Sequence, residues 1–577
     1  MSERYDLLIQ NATIVDGTGR PAYAGSLALR GERIAAIGEF PAEAAETIDA
    51  AGRIVCPGFI DPHDHADITL LEQPLVENLL MQGVTTFVGG NCGYSAGGGM
   101  SEESTPRNRS FGQWLEAVEA GGIGPNYVPL VGHNTLRWIF MHGPEYRRPA
   151  SPSELSALEE AVHEAMHAGA FGFTTGLDAF HPAHFAEVDE IVRLAQIAGE
   201  HGGIFSPHTR HHQNQWPAES PTQFGYGVFH APKGELIAGR YHGLLEAVEI
   251  SRAANVPLHI AHLTPAYIVP QPHPAFLDEA LARATLADII DAPRAAGQTV
   301  SFNVLGWDQS IGAAVPLLDS LFDARQPLPD WFINMPRHEL PCRLTQRAFR
   351  EQVKDLFLSG RFKFGMLHPL TDPYWMDCYQ ILRCKEPGYA GKTIGEIARA
   401  RRPSRIIEAV YDAAFEVVFD ALVADPQTVW GLIIDKREHG ALATFLQHEA
   451  GMPCTDVFAL PARPGQVWDV PPIAYGMYPH YFRTLVKEER ALSLEQAVHK
   501  ATALPASVFG ISDRGVLRAG AYADIVLLDW EALREDNSML EPARPPLGIE
   551  RVIVNGVTAY AAGQATGARA GKVLRKG

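Results

Sequence analysis

The sequence predicts an α/β protein, a (β/α)8 TIM-type barrel with a small β-sandwich domain assembled from both chain ends, and three observations point there. Helix-period and strand-period segments alternate through the middle of the chain, the pattern of a parallel sheet with crossover helices. Both ends read instead as short strands broken by turns. The length of 577 residues suits one barrel of about 250 to over 400 residues plus one small domain. The expected division is a β domain from residues 1–55 and 512–577, enclosing a barrel at 56–511.

At the N-terminal end, Leu7 to Ile9, Thr13 to Val15, Leu27 to Leu29 and Arg33 to Ile37 are strand-like, with turns at Asp16-Gly17 and Arg30-Gly31. The far end matches it, with strand-like Val516-Leu517, Ile525 to Leu528 and Arg551 to Val554, and turns at Ala519-Gly520 and Asn555-Gly556.

The clearest barrel unit starts at Ser151-Pro152-Ser153-Glu154, a capping box with proline at the first helical position. Leu155, Leu158, Val162 and Met166 keep an apolar helical stripe, Gly169 stops it, and Phe171 to Thr174 follow as a strand. Two more units repeat the plan: helix Glu187 to Ala198 leads into Gly203 to His208, and helix Leu244 to Ala254 leads into Val256 to His262. Each of these strands ends in histidine. Residues at about 325–400, rich in proline and aromatic residues, read as an insertion beyond the minimal barrel and as a lid over one face.

The 67 acidic and 48 basic residues give a formal net charge of -19 spread without long runs, which repels nucleic acid and anionic membrane surfaces. The expected partner is therefore a small-molecule substrate, with a homo-oligomer left open. Six cysteines without a C-x-x-C pair are too sparse for a disulfide framework, which fits a reducing cytoplasm. Met1 to Gln10 show no signal pattern, and nowhere do about 18 apolar residues run uninterrupted, so a soluble protein is expected.

The strongest chemical signal is the apolar strand Ile54-Val55-Cys56-Pro57-Gly58-Phe59-Ile60-Asp61, which runs into His63 and His65. Residues i and i+2 of an extended segment point to one face, so both imidazoles can reach one ion. Val84 to Gly89 form a strand that ends in Gly90-Asn91-Cys92-Gly93, where glycines let the backbone come close to a metal. Alone, Cys92 reads as a small buried hydrophobe; beside histidine-ended strands it reads as a zinc ligand. His208 and His262 close their strands at the end where barrel enzymes place function. His259, three residues from His262, faces the other way and reads as packed or hydrogen-bonded. His133, His181, His184, His211 and His212 are weaker candidates.

Asp456 follows the short apolar piece Met452-Pro453-Cys454-Thr455. By itself it reads as a turn or cap residue. Near a metal it becomes the group that hydrolysis needs, because an ion lowers the pKa of bound water toward about 7 and a carboxylate can carry that proton to the leaving nitrogen.

Together these residues resemble the amidohydrolase superfamily and, within it, the N-acyl-D-amino-acid deacylase (D-aminoacylase) branch. The resemblance spans nearly the whole chain. It rests on Pro57-Gly58-Phe59-Ile60-Asp61-x-His63-x-His65, Gly90-Asn91-Cys92-Gly93, Val131-Gly132-His133, His208-x-Arg210, His262-Leu263, Thr502-Ala503-Leu504-Pro505-Ala506 and the tail Arg514-Gly515-x-Leu517-x-x-Gly520-x-x-Ala523-Asp524. It implies one or two zinc ions: a firm site of Cys92, His208 and His262, a weaker one at His63 and His65, Cys92 in position to bridge them, and Asp456 as general acid/base. Many superfamily relatives bridge with a carboxylated lysine, and Phe171 to Thr174 contain none.

Three positions depart from the branch's recognition of a substrate α-carboxylate. The lysine of its His-Leu-Lys segment is Thr264 here, a tyrosine falls near Trp307, and the arginine before Tyr-Gly falls at Ile473. The expected reaction is zinc-dependent cleavage of a C–N amide bond in a substrate lacking that carboxylate. Arg210, Thr264, Trp307 and Ile473 would line the substrate, Trp307 offering an aromatic face, while Arg210 with His211 and His212 is the rival holder of a carboxylate. Two other readings use the same scaffold: hydrolysis of a cyclic amide, an ester or lactone, or an activated C–C bond, and a non-catalytic barrel, which has no need of the full residue set.

Overall fold

The computed structural model describes residues 4–40, 43–95, 110–141, 143–178, 181–212, 228–230, 236–267, 274, 276–307, 315–322, 329–358, 374–432, 440–462 and 470–577. Both chain ends meet in one nine-stranded sheet. Its strands are β1 (Tyr5–Ile14), β2 (Tyr23–Arg30), β3 (Arg33–Gly38), β4 (Ala44–Asp49) and β5 (Ile54–Pro57) from the N-terminal end. The C-terminal end adds β20 (Ile525–Leu528), β21 (Ile549–Val554), β22 (Val557–Ala561) and β23 (Gln564–Ala565), in the order β23-β22-β21-β20-β5-β1-β2-β3 with β4 on β1. The seam is antiparallel, with Ile54 to Pro57 opposite Leu528 to Ile525.

Three features differ from the sequence reading. Leu7 to Ile9 and Thr13 to Val15 belong to one strand, because Asn11 takes a left-handed φ of 56° and absorbs an irregularity between Ile9 and Ala12. Strand β4 has no apolar alternation to betray it and forms by pairing parallel to β1. Val516-Leu517 is no strand, although the Leu517 N–H donates to the Asp16 carbonyl.

The middle of the chain supplies two parallel sheets. One holds β6 (Phe59–Asp61), β7 (Val84–Gly89) and β8 (Asn126–Pro129). The other holds β9 (Val131–Gly132), β10 (Gly172–Gly176), β11 (Ile204–His208), β14 (Leu258–Ile260), β15 (Val300–Leu305) and β19 (Gly451–Cys454). Only Leu130 separates β8 from β9. Beyond the other edge, Asp456 N–H donates to His63 O at 3.0 Å and His65 N–H to Val457 O at 2.8 Å. A separate hairpin pairs β12 (Val228–His230) with β13 (Leu236–Ala238).

Helices alternate with these strands. Pro152–His167 carries the full reciprocal capping box of Ser151 and Glu154, and buries Leu158, Val162, Ala165 and Met166. Val188–Glu200 and Gly239–Ala254 follow. The last begins five residues before the expected Leu244, since Gly239 and Gly243 mask its helical pattern. Gly243 is needed because a Cβ there would lie 1.8 Å from the Arg210 carbonyl.

Between β15 and β19 lies a second core built from Leu317, Phe332, Trp375, Phe415 and Trp430. It surrounds an antiparallel sheet of β16 (Val315–Pro316), β17 (Tyr379–Arg383) and β18 (Val429–Leu432) and includes helix Ile407–Ala424. The inserted unit is thus wider than residues 325–400, because that helix and β18 pack inside it. Residues 325–328 and 359–373 of the expected insertion and lid lie outside the described residues.

Candidate metal centre

The centre assembles where β6, β7, β11, β14 and β19 end. Strand β6 runs out at Asp61, whose Oδ1 accepts the His63 N–H at 3.2 Å, and the backbone bonds with Asp456 and Val457 fix the His63-Asp64-His65 segment. Both imidazoles present Nε2 to Asp456 Oδ1, at 3.3 Å from His63 and 3.1 Å from His65.

Strand β7 turns through Gly90-Asn91-Cys92-Gly93. Gly90 has φ +92°, and a Cβ there would lie 2.1 Å from the Leu130 carbonyl, so no other residue admits this turn. Cys92 stands at its apex, its carbonyl held by Asn134 Nδ2 at 2.8 Å. Its Sγ lies 3.4 Å from His63 Nε2, 3.5 Å from His208 Nδ1 and 3.4 Å from His262 Nε2.

Cys92, His262 and Asp456 all adopt left-handed φ values, 49°, 33° and 58°. Such backbone costs about 1–3 kcal/mol per residue and persists only where surroundings impose it. Here Asn134 grips Cys92, Asn303 Oδ1 accepts the His262 N–H at 2.7 Å, and His63 O accepts the Asp456 N–H.

Electrostatics sort the groups. Burial alone would raise Asp456, but the adjacent and hydrogen-bonded His63 and His65 outweigh it and hold the carboxyl well below its ordinary range. Burial, with His208 and His63 alongside, holds His262 well below the usual histidine value. Burial, with Asp456 and Asp178 nearby, pushes the Cys92 thiol well up.

Three ligand-like groups occur among the described residues, each with all its donor atoms within 4.8 Å of one another: His63, His65 and Cys92; Cys92, His208 and His262; His63, His262 and Asp456. Zinc bonds of about 2.3 Å to sulfur and 2.0–2.1 Å to nitrogen put tetrahedral S···N edges near about 3.5 Å. The edges from Cys92 measure 3.4–3.5 Å. The donor set therefore fits zinc in softness and in size.

The residues expected along the substrate are brought less close to chemistry. Arg210 Nε donates to Glu246 Oε2 at 2.8 Å and its Nη1 to the His184 carbonyl at 2.7 Å. Its guanidinium is committed to a partly buried pair rather than offered to a ligand. Trp307 stacks on His480 with ring centroids 4.4 Å apart, so one face of its indole is covered by that imidazole. Ile473 opens a buried helix within the main core. Thr264 is buried, and its Oγ1 has no hydrogen-bond partner among the described residues.

Of the other histidines, His259 is held by Ser301 Oγ at 2.9 Å and Asn303 Nδ2 at 2.8 Å, the bonded histidine that its spacing suggests. His133 pairs with Glu190 at 2.9 Å, and His184 contacts the Leu177 carbonyl at 3.0 Å. His212 comes nearer than its sequence signal suggests, with its ring 4.4 Å from that of His262. The sequence reading passed over Asp178, whose Oδ2 sits 3.1 Å from His208 Nε2. A carboxylate two residues past the end of β10 at Gly176 was the available signal.

The sequence profile of the amidohydrolase family matches residues 46–297 and 464–560. N-acyl-D-glutamate deacylase of Alcaligenes xylosoxydans xylosoxydans is 30% identical over 100% of this chain and 98% of its own. The structure of N-acyl-D-glutamate deacylase from Bordetella bronchiseptica, complexed with zinc and a phosphonate mimic of the tetrahedral intermediate, superposes with a TM-score of 0.67. It shares 27% identity over 99% of this chain and all of its own. A D-aminoacylase with a binuclear metal centre, 26% identical, gives the same TM-score over 99% and 100% of the two chains.

Proposed function

We propose a specific chemistry from the premise that this chain belongs to the amidohydrolase family and, within it, is a metal-dependent hydrolase related to the D-aminoacylases. The reaction is hydrolysis of the C–N bond of an N-acylated amine. The observation that carries this is one thiol, Cys92, within 3.4–3.5 Å of three imidazole nitrogens beside a carboxylate.

In this reading Cys92, His208 and His262 would hold a zinc ion, and His63 and His65, with Cys92 nearby, would hold a second one more weakly. A bound zinc polarises the acyl carbonyl and acidifies the attacking water. Asp456 supplies the proton transfer: its Oδ1 lies 3.3 Å from His63 Nε2 and 3.1 Å from His65 Nε2, which places the carboxylate beside the proposed ligands, where it would accept the water's proton and return it to the departing nitrogen. With 17% of its side chain exposed, Asp456 is the member of this cluster that solvent reaches best.

The scaffold is read as one eight-stranded (β/α) barrel, supported by the single-residue step between β8 and β9 and by the hydrogen bonds that join β19's exit to His63 and His65. The nine-stranded sheet is read as a separate sandwich domain divided from the barrel at about residues 55 and 511, supported by a core of its own around Leu7, Ile9, Leu27, Val55, Ile525 and Ile553.

For the substrate, the relatives' names specify N-acyl-D-amino acids. We read this chain as recognising the acyl amide without the free α-carboxylate. Support comes from a neutral hydroxyl at Thr264, a core position at Ile473, and an Arg210 guanidinium already engaged by Glu246. Each charge-assisted bond is worth about 1.5–3 kcal/mol, so losing two weakens the transition state by about 10² to 10⁴-fold. Steady-state rates for N-acetyl-D-leucine and its carboxamide test this. The carboxamide is expected to have the higher kcat/KM; a preference for the free acid overturns the substrate assignment while leaving amide hydrolysis standing.

A further inference from the structure

We propose that Asp178 is a positioning residue that fixes His208 as a ligand and makes the Cys92–His208–His262 half of the centre the tighter one, an inference that rests on the metal assignment above. The histidines of the centre are not equivalent. His208 directs Nδ1 at Cys92 Sγ, 3.5 Å away, and Nε2 at Asp178 Oδ2, 3.1 Å away. His63, His65 and His262 direct Nε2 inward, at 3.4, 3.1 and 3.4 Å from Cys92 or Asp456. Their Nδ1 atoms are buried with no hydrogen-bond partner among the described residues.

A carboxylate behind a ligating imidazole accepts its distal N–H, which fixes the tautomer, orients the ring and raises the basicity of the inward nitrogen. Among the described residues, His208 alone of these four histidines has that support. The support is itself rigid: the Asp178 side chain is fully buried, and the Leu177 N–H donates to the His208 carbonyl at 3.0 Å, tying the two segments together. Strands β10 and β11 also pair with Gly176 opposite His208, so the loop carrying Asp178 leaves the sheet beside its partner. The His181 ring closes edge-on against His208 at 4.7 Å and is anchored by the Tyr94 hydroxyl at 2.8 Å from its Nδ1.

The test titrates full-length wild type, Asp178→Asn, Asp178→Ala and Cys92→Ala, each stripped by chelation, with Zn²⁺ against a chromophoric competitor, and records the melting temperature of each apo form. Asp178→Asn keeps the shape and an acceptor oxygen but loses the charge, and Asp178→Ala loses both. The first-zinc dissociation constant is expected to weaken about 10-fold in the first and toward about 100-fold in the second, with the second-zinc constant unmoved. A lower melting temperature with unchanged zinc affinity assigns Asp178 to folding alone and overturns the proposal. Wild-type affinity in Cys92→Ala instead overturns the metal assignment beneath it, and the proposal with it.

Discussion

The cluster around Cys92, the proposed metal wall, and the residues expected along the substrate, the proposed substrate wall, are organised in opposite ways. On the metal wall, His63, Cys92, His208 and His262 converge with edges of 3.4–3.5 Å, and three strained backbone positions are locked to keep them there. On the substrate wall, Arg210 turns to Glu246, Trp307 to His480, and Ile473 into the core. The contrast teaches that the reacting groups converge on one another, whereas Arg210, Trp307 and Ile473 are each engaged by neighbours elsewhere in the protein. Strain of about 1–3 kcal/mol at each of Cys92, His262 and Asp456 is tolerable only if something is gained by that convergence.

The largest expected effect lies on the metal wall. Asp456→Asn keeps size and shape but cannot shuttle a proton, so turnover should fall about 10²-fold or more with zinc content unchanged. Measuring kcat alongside metal content checks it; near-normal turnover removes Asp456 from the chemistry and breaks the contrast on its reactive side.

A smaller effect is expected on the substrate wall. Arg210→Met leaves Glu246 as an unpaired, largely buried carboxylate, because the pair's side chains are only 13% and 11% exposed. Breaking such a pair costs about 3 kcal/mol. The expected outcome is a lower melting temperature with an unaltered preference between N-acetyl-D-leucine and its carboxamide. A change in that preference would mean that Arg210 reaches substrate after all, and the wall would no longer be self-satisfied.

This division also explains what was legible in the sequence. Strand ends locate His208 and His262, whereas His63 and His65 lie past the end of β6 and are set by backbone bonds with Asp456 and Val457 rather than by strand period. Cys92 was readable only beside the histidine-ended strands, in a glycine-flanked turn at the end of its own strand. Asp178 was not, since its role depends on β10 and β11 lying side by side with Gly176 opposite His208. Nothing local reveals that the helix Ile473–Tyr481 brings His480 across one face of Trp307. The fold shows the same limit. The capping box at Ser151 and the paired chain ends were visible, whereas β4 arises only by pairing with β1, and the inserted unit's width depends on which core takes helix Ile407–Ala424.

The central claim is that Cys92 is a metal ligand at the hub of the centre. Protein purified without chelators, then exchanged with Co²⁺, tests it most directly through metal content and the thiolate-to-cobalt absorption band. The account predicts bound metal in the wild type and in Cys378→Ala, whose cysteine sits in the inserted core, with the thiolate band present in both. It predicts that Cys92→Ala loses the band and most of the metal. Wild-type protein without metal, or a Cys92→Ala variant that retains both metal and band, would contradict it.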